Sequence, residues 1–289
     1  MTVPARAAPS ELRCREKRLA LDRPCVMGIL NVTPDSFSDG GRAWRDGGVD
    51  AGAAFDAARS MVEEGAAIID IGGESTRPGA TPPDVGEELR RVIPIVERVA
   101  QLATIVSVDT RRSAVARAAL DAGADLINDV HALRDPEMRR AVRESRAAVC
   151  LMHMQGDPRT MQAAPNYGDV VSEVSDYLCE RARVCRDDGI EDDRIVLDPG
   201  FGFGKTLGHN LALLRGLDAV VKIGYPVLIG VSRKGMIGAI TGRPIERRLA
   251  GSIAAAVIGV RNGAKIVRAH DVAATVDALK MTARIMEET

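Results

Sequence analysis

Short apolar runs alternate with longer amphipathic stretches along nearly the whole chain. Each run is rich in Val and Ile, is too short to form a helix, and ends in a turn that contains Gly or Asp. These properties are typical of strands that are buried on both faces of a parallel sheet. Eight runs are predicted to be such strands: 25–32, 67–71, 104–108, 125–130, 147–152, 194–197, 226–231 and 264–268.

The stretches between these runs carry apolar residues at the spacing of a helix. In the first of them Ala54, Ala58 and Met61 fall on one face, and Gly65 follows as a stop signal. The other stretches repeat this pattern. The predicted helices cover 51–64, 85–100, 113–122, 137–144, 167–188, 210–222, 245–262 and 271–286.

The repeat of strand and helix predicts parallel strands joined by crossover helices, as in the α/β class. Eight units favour a single closed (β/α)₈ barrel, the TIM barrel, over an open doubly wound sheet, which is kept as the alternative. No interdomain linker interrupts the pattern. We therefore expect residues 24–289 to form one barrel domain, preceded by a leader at 1–23 that could form a short hairpin.

The bulk composition narrows the possible functions. The 39 basic and 40 acidic residues leave a net charge of −1, which argues against nucleic acid as the main partner. No run of about 18 apolar residues is present, so no membrane span is predicted. The five cysteines form no CxxC pair, and the N-terminus lacks the apolar core of an export signal. These observations predict a cytoplasmic protein with reduced thiols that acts on small molecules.

Polar side chains stand at the end of every predicted strand. In a barrel of this type, catalytic groups lie at the C-terminal ends of the strands and in the loops after them. A single Asp at a strand end is more often a cap or a turn residue. All eight predicted strands, however, end in polar residues, which predicts a polar cavity at the C-terminal end of the barrel. The residues in question are Asn31, Asp70, Asp109, Asn128, His153, Asp198, Lys234, Arg268 and His270.

Seven of these nine groups fall into two chemical sets. Two carboxylates, one amide and one ammonium group suit the edge of a flat heterocycle that carries both donors and acceptors, and they belong to Asp109, Asn128, Asp198 and Lys234. Arg268 and His270 suit an anion, and Asn31 offers an oxygen to a hard cation such as Mg²⁺. A magnesium pyrophosphate would satisfy this second set, although His270 could equally be a helix-start residue.

Three loops complete the picture. Residues 33–41 and 72–83 are rich in Gly, Ser and Asp, as lids over barrel mouths often are, and Phe37 in the first loop suggests a ligand contact made on closure. Residues 200–206 look like a nucleotide-binding loop. The Walker pattern, however, requires a Gly where Pro199 stands, so we reject that motif.

Several of these segments together resemble the dihydropteroate synthase family. The two longest and most specific are Met-Gly-Ile-Leu-Asn-Val-Thr-Pro-Asp-Ser-Phe-Ser-Asp-Gly-Gly at 27–41 and Asp-Ile-Gly-Gly-Glu-Ser-Thr-Arg-Pro-Gly at 70–79. Shorter segments match in order and spacing, and the likeness runs from about Pro24 to the C-terminus. They lie at 107–110, 127–130, 153–156, 198–205, 232–234 and 268–270.

The resemblance implies a transferase of folate biosynthesis. It would condense 6-hydroxymethyl-7,8-dihydropterin pyrophosphate with p-aminobenzoate through a dissociative substitution that uses Mg²⁺ and needs no protein nucleophile. Asn31 would contact the metal and the pyrophosphate. Asp109, Lys234 and Arg268 would be the catalytic residues.

The resemblance also implies the substrate contacts. The pterin would be held by Asp109, Asn128, Asp198 and Lys234, with Met152 and Val130 packed near it. Arg268 would stack on the pterin face and, with His270, bind phosphate. The p-aminobenzoate site would be formed by Phe37, Thr76, Arg77, Pro78 and Phe203. A homodimer through the later helices is also expected, in which the Ala- and Gly-rich stretch 249–263 could pack against a partner.

One position departs from the family pattern. Many members carry Ser after the Ser-Arg-Lys of the seventh strand, where it can meet the p-aminobenzoate carboxylate, but here the residue is Gly235. A backbone N–H at a helix start can bind the same carboxylate. Gly235 keeps open the alternative of a non-catalytic pterin-binding paralogue. A second alternative is a pterin-binding domain of the methyltransferase type, which shares the pterin-edge residues but would not need the loop at 33–41 or the pair Arg268 and His270.

Overall fold

The computed structural model describes residues 8–33, 44–45, 48–75, 81–156 and 160–287. Twelve strands are found in this part of the chain. They are β1 (Glu11–Cys14), β2 (Lys17–Ala20), β3 (Cys25–Asn31), β4 (Trp44–Arg45), β5 (Gly48–Val49), β6 (Ile68–Gly72), β7 (Ile105–Asp109), β8 (Leu126–Asp129), β9 (Ala148–Met152), β10 (Ile195–Asp198), β11 (Leu228–Ile229) and β12 (Ile266–Ala269).

Eight parallel strands form the central sheet, in the order β10-β9-β8-β7-β6-β3-β12-β11. The two end strands of this order meet through a parallel bridge between Leu197 and Val227, and the Leu197 N–H donates to the Pro226 carbonyl at 2.9 Å. The sheet therefore closes on itself, which confirms the predicted barrel and rules out the open doubly wound sheet.

Helices surround the barrel and cover the outer faces of the strands. Within the described residues they are α1 (Ala51–Glu63), α2 (Val85–Val99), α3 (Ser113–Asp121), α4 (Pro136–Ser145), α5 (Val170–Asp187), α6 (Leu207–Arg215), α7 (Leu217–Val221), α8 (Gly235–Thr241), α9 (Leu249–Arg261) and α10 (Val272–Met286). None of them is long and apolar enough to cross a membrane.

Local sequence explains where several helices begin. Asp84 caps α2 by accepting the Glu87 N–H at 2.7 Å, and Asp135 caps α4 in the same way with Pro136 in the first turn. The apolar residues of α2 that face the barrel, among them Val92 and Val96, are completely buried. The starts of α2 and α4 are therefore fixed by local side-chain caps, and α2 packs its apolar face on the barrel.

The prediction for the later helices is wrong in detail. Residues 210–222 form two helices separated at Gly216, where a Cβ would lie only 3.0 Å from Val171, so the chain bends where α5 packs closely against it. The helix α8 was not predicted, because its seven residues are too few to show a periodic pattern. The predicted helix 245–262 begins with a 3-10 turn, and α9 proper starts at Leu249.

The N-terminal hairpin of β1 and β2 closes the other end of the barrel. Leu12, Cys14, Leu19 and Leu21 are buried and pack against inward-facing residues near the starts of the barrel strands, such as Met27. A polar contact adds to this packing, since Lys17 Nζ donates to the Thr104 carbonyl at 2.8 Å. With the lower end filled by side chains, the open mouth lies at the C-terminal ends of the strands.

Candidate active site

A single cavity of about 660 Å³ opens at the C-terminal mouth of the barrel. The nine residues that were assigned a ligand or metal contact and that fall within the described parts of the chain line it, whereas the strand-end residues Asp70 and His153 do not. The nine are Asn31, Asp109, Asn128, Met152, Asp198, Phe203, Lys234, Arg268 and His270, and Val130 lies beside them. Four other predicted contacts, Phe37, Thr76, Arg77 and Pro78, lie outside the described residues.

Arg268 is held between two carboxylates near the base of this cavity. Its Nε donates to Asp70 Oδ2 at 2.6 Å, and its Nη2 donates to Asp109 Oδ2 at 2.9 Å. Burial disfavours the cation, but Asp70 and Asp109 outweigh that effect and raise the pKa of Arg268 above its usual value. The guanidinium is therefore a fixed cation whose orientation is set before any ligand arrives.

The sequence placed Asp70 among the polar strand ends but assigned it no role. It lies within β6, has no exposed surface, and also accepts the Ser107 hydroxyl at 2.6 Å and the Asn128 Nδ2 at 3.1 Å. The one signal in the sequence was a carboxylate inside a strand of Ile residues, since a buried charge requires partners.

Burial raises the pKa of Asp109, and the charge of Asp70 adds to that effect while Arg268 opposes it. Asp198 is in a similar position on β10. Its pKa is also raised by burial, although its Oδ1 accepts the Gly200 N–H at 2.7 Å. Two carboxylates with raised pKa thus face one cavity, as expected of groups that meet a polar ligand.

Gly200 makes the tight turn after β10 possible. Its φ is +69°, and a Cβ there would lie only 1.9 Å from the His153 carbonyl oxygen. No other residue could occupy this place without moving the backbone. The turn fixes Asp198 because the N–H that it offers to the carboxylate belongs to Gly200 itself.

Lys234 lies above the carboxylates. Burial, reinforced by Arg268, lowers the pKa of Lys234 to about 8, while Asp198 and Asp109 oppose this effect. The ammonium Nζ is 4.3 Å from the centroid of the Phe203 ring, which is within the range of a cation–π contact. Lys234 therefore joins the predicted pterin edge to the aromatic wall of the predicted arylamine site.

His270 pairs with Ser232. Its Nδ1 is 3.0 Å from the Ser232 hydroxyl, which also accepts the backbone N–H of His270 at 3.2 Å. Burial and the nearby Arg268 lower the pKa of His270 to about 3, so the imidazole is neutral at pH 7. At this mouth His270 can donate or accept a hydrogen bond to an anion, but the positive charge must come from other groups.

Lys205 was given no role from the sequence, although its segment at 198–205 was part of the family resemblance. Its Nζ donates to the carbonyls of Gly200 and Phe203 at 2.9 and 3.1 Å and lies 3.0 Å from His153 Nδ1. Burial lowers the pKa of Lys205 to about 7. The ammonium thus stabilises the turn between Asp198 and Phe203, because it donates its hydrogen bonds to the backbone carbonyls of that turn.

Comparisons with known proteins agree with this geometry. Residues 27–270 match the family described as pterin binding enzyme. A dihydropteroate synthase of Haemophilus influenzae is 48% identical over 272 residues, which cover 94% of this chain and 97% of that protein.

Two solved structures of similar proteins contain ligands. The dihydropteroate synthase of Xanthomonas albilineans with 4-aminobenzoic acid is 50% identical, with a TM-score of 0.89 over 97% of this chain and 99% of that one. The dihydropteroate synthase of Burkholderia cenocepacia complexed with 7,8-dihydropteroate is 48% identical, with a TM-score of 0.86 over 96% of both chains.

Proposed function

We propose that this chain, which belongs to the pterin-binding enzyme family, condenses 6-hydroxymethyl-7,8-dihydropterin pyrophosphate with p-aminobenzoate. The products are 7,8-dihydropteroate and pyrophosphate, so the chain acts as a transferase of folate biosynthesis. One observation carries the proposal. The residues that the sequence assigned to the pterin and the anion line one cavity at the barrel mouth, together with Phe203 from the arylamine set.

We assign the deep part of the cavity to the pterin. The Asp198 carboxylate can accept two N–H groups of an aminopyrimidinone, and Lys234 can donate to its carbonyl oxygen. Asn128 and Asp109 meet the remaining edge, and the apolar side chains of Met152 and Val130 pack beside the ring. The paired charges of this region suit a ligand that is neutral but strongly polar.

We assign the pyrophosphate to the side of Asn31, Arg268 and His270. Asn31 places an amide group on the cavity wall at the end of β3. Among the described residues no three His, Cys, Asp or Glu side chains could hold a metal ion together.

This donor set fits Mg²⁺ that is shared with substrate phosphates and water, and it does not fit a cage made only of protein ligands. When bound at Asn31, Mg²⁺ would supply positive charge to the leaving pyrophosphate. Arg268 adds a fixed cation on the same side, and neutral His270 adds a hydrogen bond.

The proposed reaction is dissociative. The C–O bond between the pterin methylene and the pyrophosphate breaks, and the electron pair leaves with the pyrophosphate. The nitrogen of p-aminobenzoate then attacks the cationic methylene, forms the C–N bond and releases a proton to water at the open mouth. Asp109 and Asp198 stabilise the cation because their negative charges are fixed in place before it forms.

We assign the outer part of the cavity to p-aminobenzoate. The Phe203 ring beside Lys234 offers a surface for the arene, and Gly235 begins α8, where the first N–H groups of the helix lack intrahelical partners. These N–H groups can bind the carboxylate. Phe37, Thr76, Arg77 and Pro78 would complete this site from the two loops.

Further proposals concern assembly and location. We propose a homodimer, because Leu249 and Ile258 on α9 and Met281 and Ile285 on α10 expose large apolar side chains. We also propose that the protein works in the cytoplasm, without nucleic acid or membrane as a partner. The barrel at 24–289 would carry the activity, with the segment 1–23 as an accessory whose hairpin, β1 and β2, fills the lower end.

The test is a measurement of pyrophosphate release with the dihydropterin pyrophosphate, p-aminobenzoate and Mg²⁺. Release should require both substrates and should equal the 7,8-dihydropteroate formed. No release with both substrates present would refute the proposal. Pterin binding without turnover would identify a non-catalytic paralogue, and methyl transfer from a methylated pterin would identify the methyltransferase alternative.

A further inference from the structure

We propose that Asp70 is a positioning residue for pterin recognition, an inference that rests on the proposed function. It fixes the side chains of Asn128 and Arg268 in the orientation in which they receive the pterin. Asp70 does not line the cavity, so it acts through the two residues that do.

The hydrogen bonds around Asp70 join four strands. Oδ1 accepts the Ser107 hydroxyl from β7 at 2.6 Å. Oδ2 accepts Asn128 Nδ2 from β8 at 3.1 Å and Arg268 Nε from β12 at 2.6 Å. Since Asp70 belongs to β6 and is completely buried, one carboxylate connects β6 to β7 and, across the barrel interior, to β8 and β12, which are not its neighbours in the sheet.

The carboxylate decides which end of the Asn128 amide faces the ligand. An ionised carboxylate can only accept hydrogen bonds, so the NH₂ of Asn128 must turn toward it. The reverse orientation would bring two acceptor oxygens together in a buried place. Asn128 therefore presents its carbonyl oxygen as an acceptor for a pterin N–H. Without the Asp70 carboxylate, the amide could adopt either orientation.

The same carboxylate sets the plane of Arg268. Asp70 and Asp109 bind Nε and Nη2, which are two corners of the planar guanidinium. Among the described residues no acceptor bonds Nη1, so this nitrogen can donate to a ligand. Because two of its nitrogens are hydrogen-bonded, the orientation of the guanidinium plane is fixed, and so is the direction in which Nη1 points. A guanidinium bound by Asp109 alone could rotate out of this plane.

The experiment compares Asp70→Ala and Asp70→Asn with the intact chain. In Asp70→Asn the new amide oxygen can still accept from Asn128 and Arg268, while its NH₂ donates to Ser107. Pterin binding is measured by calorimetry with 6-hydroxymethylpterin, and the KM values of both substrates are measured separately. Circular dichroism and thermal unfolding report whether each variant folds.

Asp125→Asn is a matched control. Asp125 is a buried carboxylate that precedes β8 at the opposite end of the barrel, where it accepts Lys17 Nζ at 2.7 Å and the Val106 N–H at 2.9 Å. Loss of this charge should lower stability and leave pterin affinity unchanged. A general effect of removing a buried carboxylate is thereby separated from the positioning effect.

Asp70→Ala should weaken pterin binding roughly 10- to 100-fold, as loss of a residue that orients a ligand-binding group does. The pterin affinity of Asp70→Asn should lie between that of Asp70→Ala and that of the intact chain. In both variants the KM for p-aminobenzoate should not change. If Asp70→Ala does not fold, Ser107→Ala is tested in its place, and its pterin affinity should be roughly 3- to 10-fold weaker than that of the intact chain.

Two results would overturn the positioning role. Folded Asp70 variants could bind pterin as the intact chain does, or Asp125→Asn could weaken binding by the same factor. Either result leaves the proposed function standing if the intact chain makes dihydropteroate. Failure of the intact chain to bind pterin would refute the proposed function instead.

Discussion

The exchange of Asp198 for Asn tests the pterin edge most sharply. The side chain is buried at the end of β10, and its Oδ1 accepts the Gly200 N–H at 2.7 Å. Among the described residues no other donor bonds this carboxylate, so Oδ2 is left for the pterin. The Asn amide would keep its oxygen for Gly200 and would turn its NH₂ toward the N–H groups of the pterin, so that donor would face donor.

The expected loss follows from this clash of donors. Removing one partner of a buried, charged hydrogen-bonded pair costs about 2–5 kcal/mol. Since each ~1.4 kcal/mol changes affinity tenfold, pterin binding should weaken by roughly 30-fold to several thousand-fold. The fold should survive, because the hydrogen bond to Gly200 is retained.

The assay is calorimetric titration with 6-hydroxymethylpterin, accompanied by thermal unfolding. Asp129→Asn serves as a matched control, because Asp129 also ends a barrel strand and accepts the N–H two residues later, from His131 at 2.8 Å, but does not line the cavity. The control should lose stability and bind pterin within about twofold of the intact chain. Unchanged pterin affinity in Asp198→Asn would refute the assigned role.

Three further predictions concern other parts of the site. Lys234 should bind the pterin as a cation, so kcat/KM for the pterin substrate should fall as the pH rises through about 8, and Lys234→Arg should remove this decline. A flat profile in the intact chain would contradict the role of the ammonium. Within the described residues, apart from its chain neighbours and the backbone of its own helix, nothing lies within 4 Å of a Cβ built at Gly235, so Gly235→Ser should fold normally and lower the KM for p-aminobenzoate roughly 3- to 10-fold. An unchanged or higher KM would place the arene carboxylate elsewhere. Light scattering should give twice the monomer mass, and a monomer mass would refute the homodimer.

The strand pattern predicted the barrel because parallel strands buried on both faces form continuous apolar runs. The seventh strand shows the limit of this signal. An apolar run at 226–231 predicted six residues, but β11 contains only Leu228–Ile229, with Val227 in the closing bridge. Hydropathy reports burial, whereas strand length depends on pairing with neighbours that lie far away in the sequence.

The position of the site was predictable because the strand ends share one mouth, but the network beneath it was not. Asp70 and Ser107 stand inside strands whose residues are buried on both faces, so alternation cannot tell which side chains point into the barrel. Lys205 could not be assigned because its partners are mainly backbone carbonyls, which every residue carries. Such contacts depend on the path of the turn and leave no pattern of residue types.

A crystal structure of the protein with 7,8-dihydropteroate is the most direct test of the central claim. The pterin ring should lie in the cavity with its N–H edge on Asp198 and its other polar atoms near Asn128 and Lys234. The aminobenzoate carboxylate should lie near Phe203 and the start of α8 at Gly235. A product bound outside this mouth, or with its pterin away from Asp198, would contradict the account.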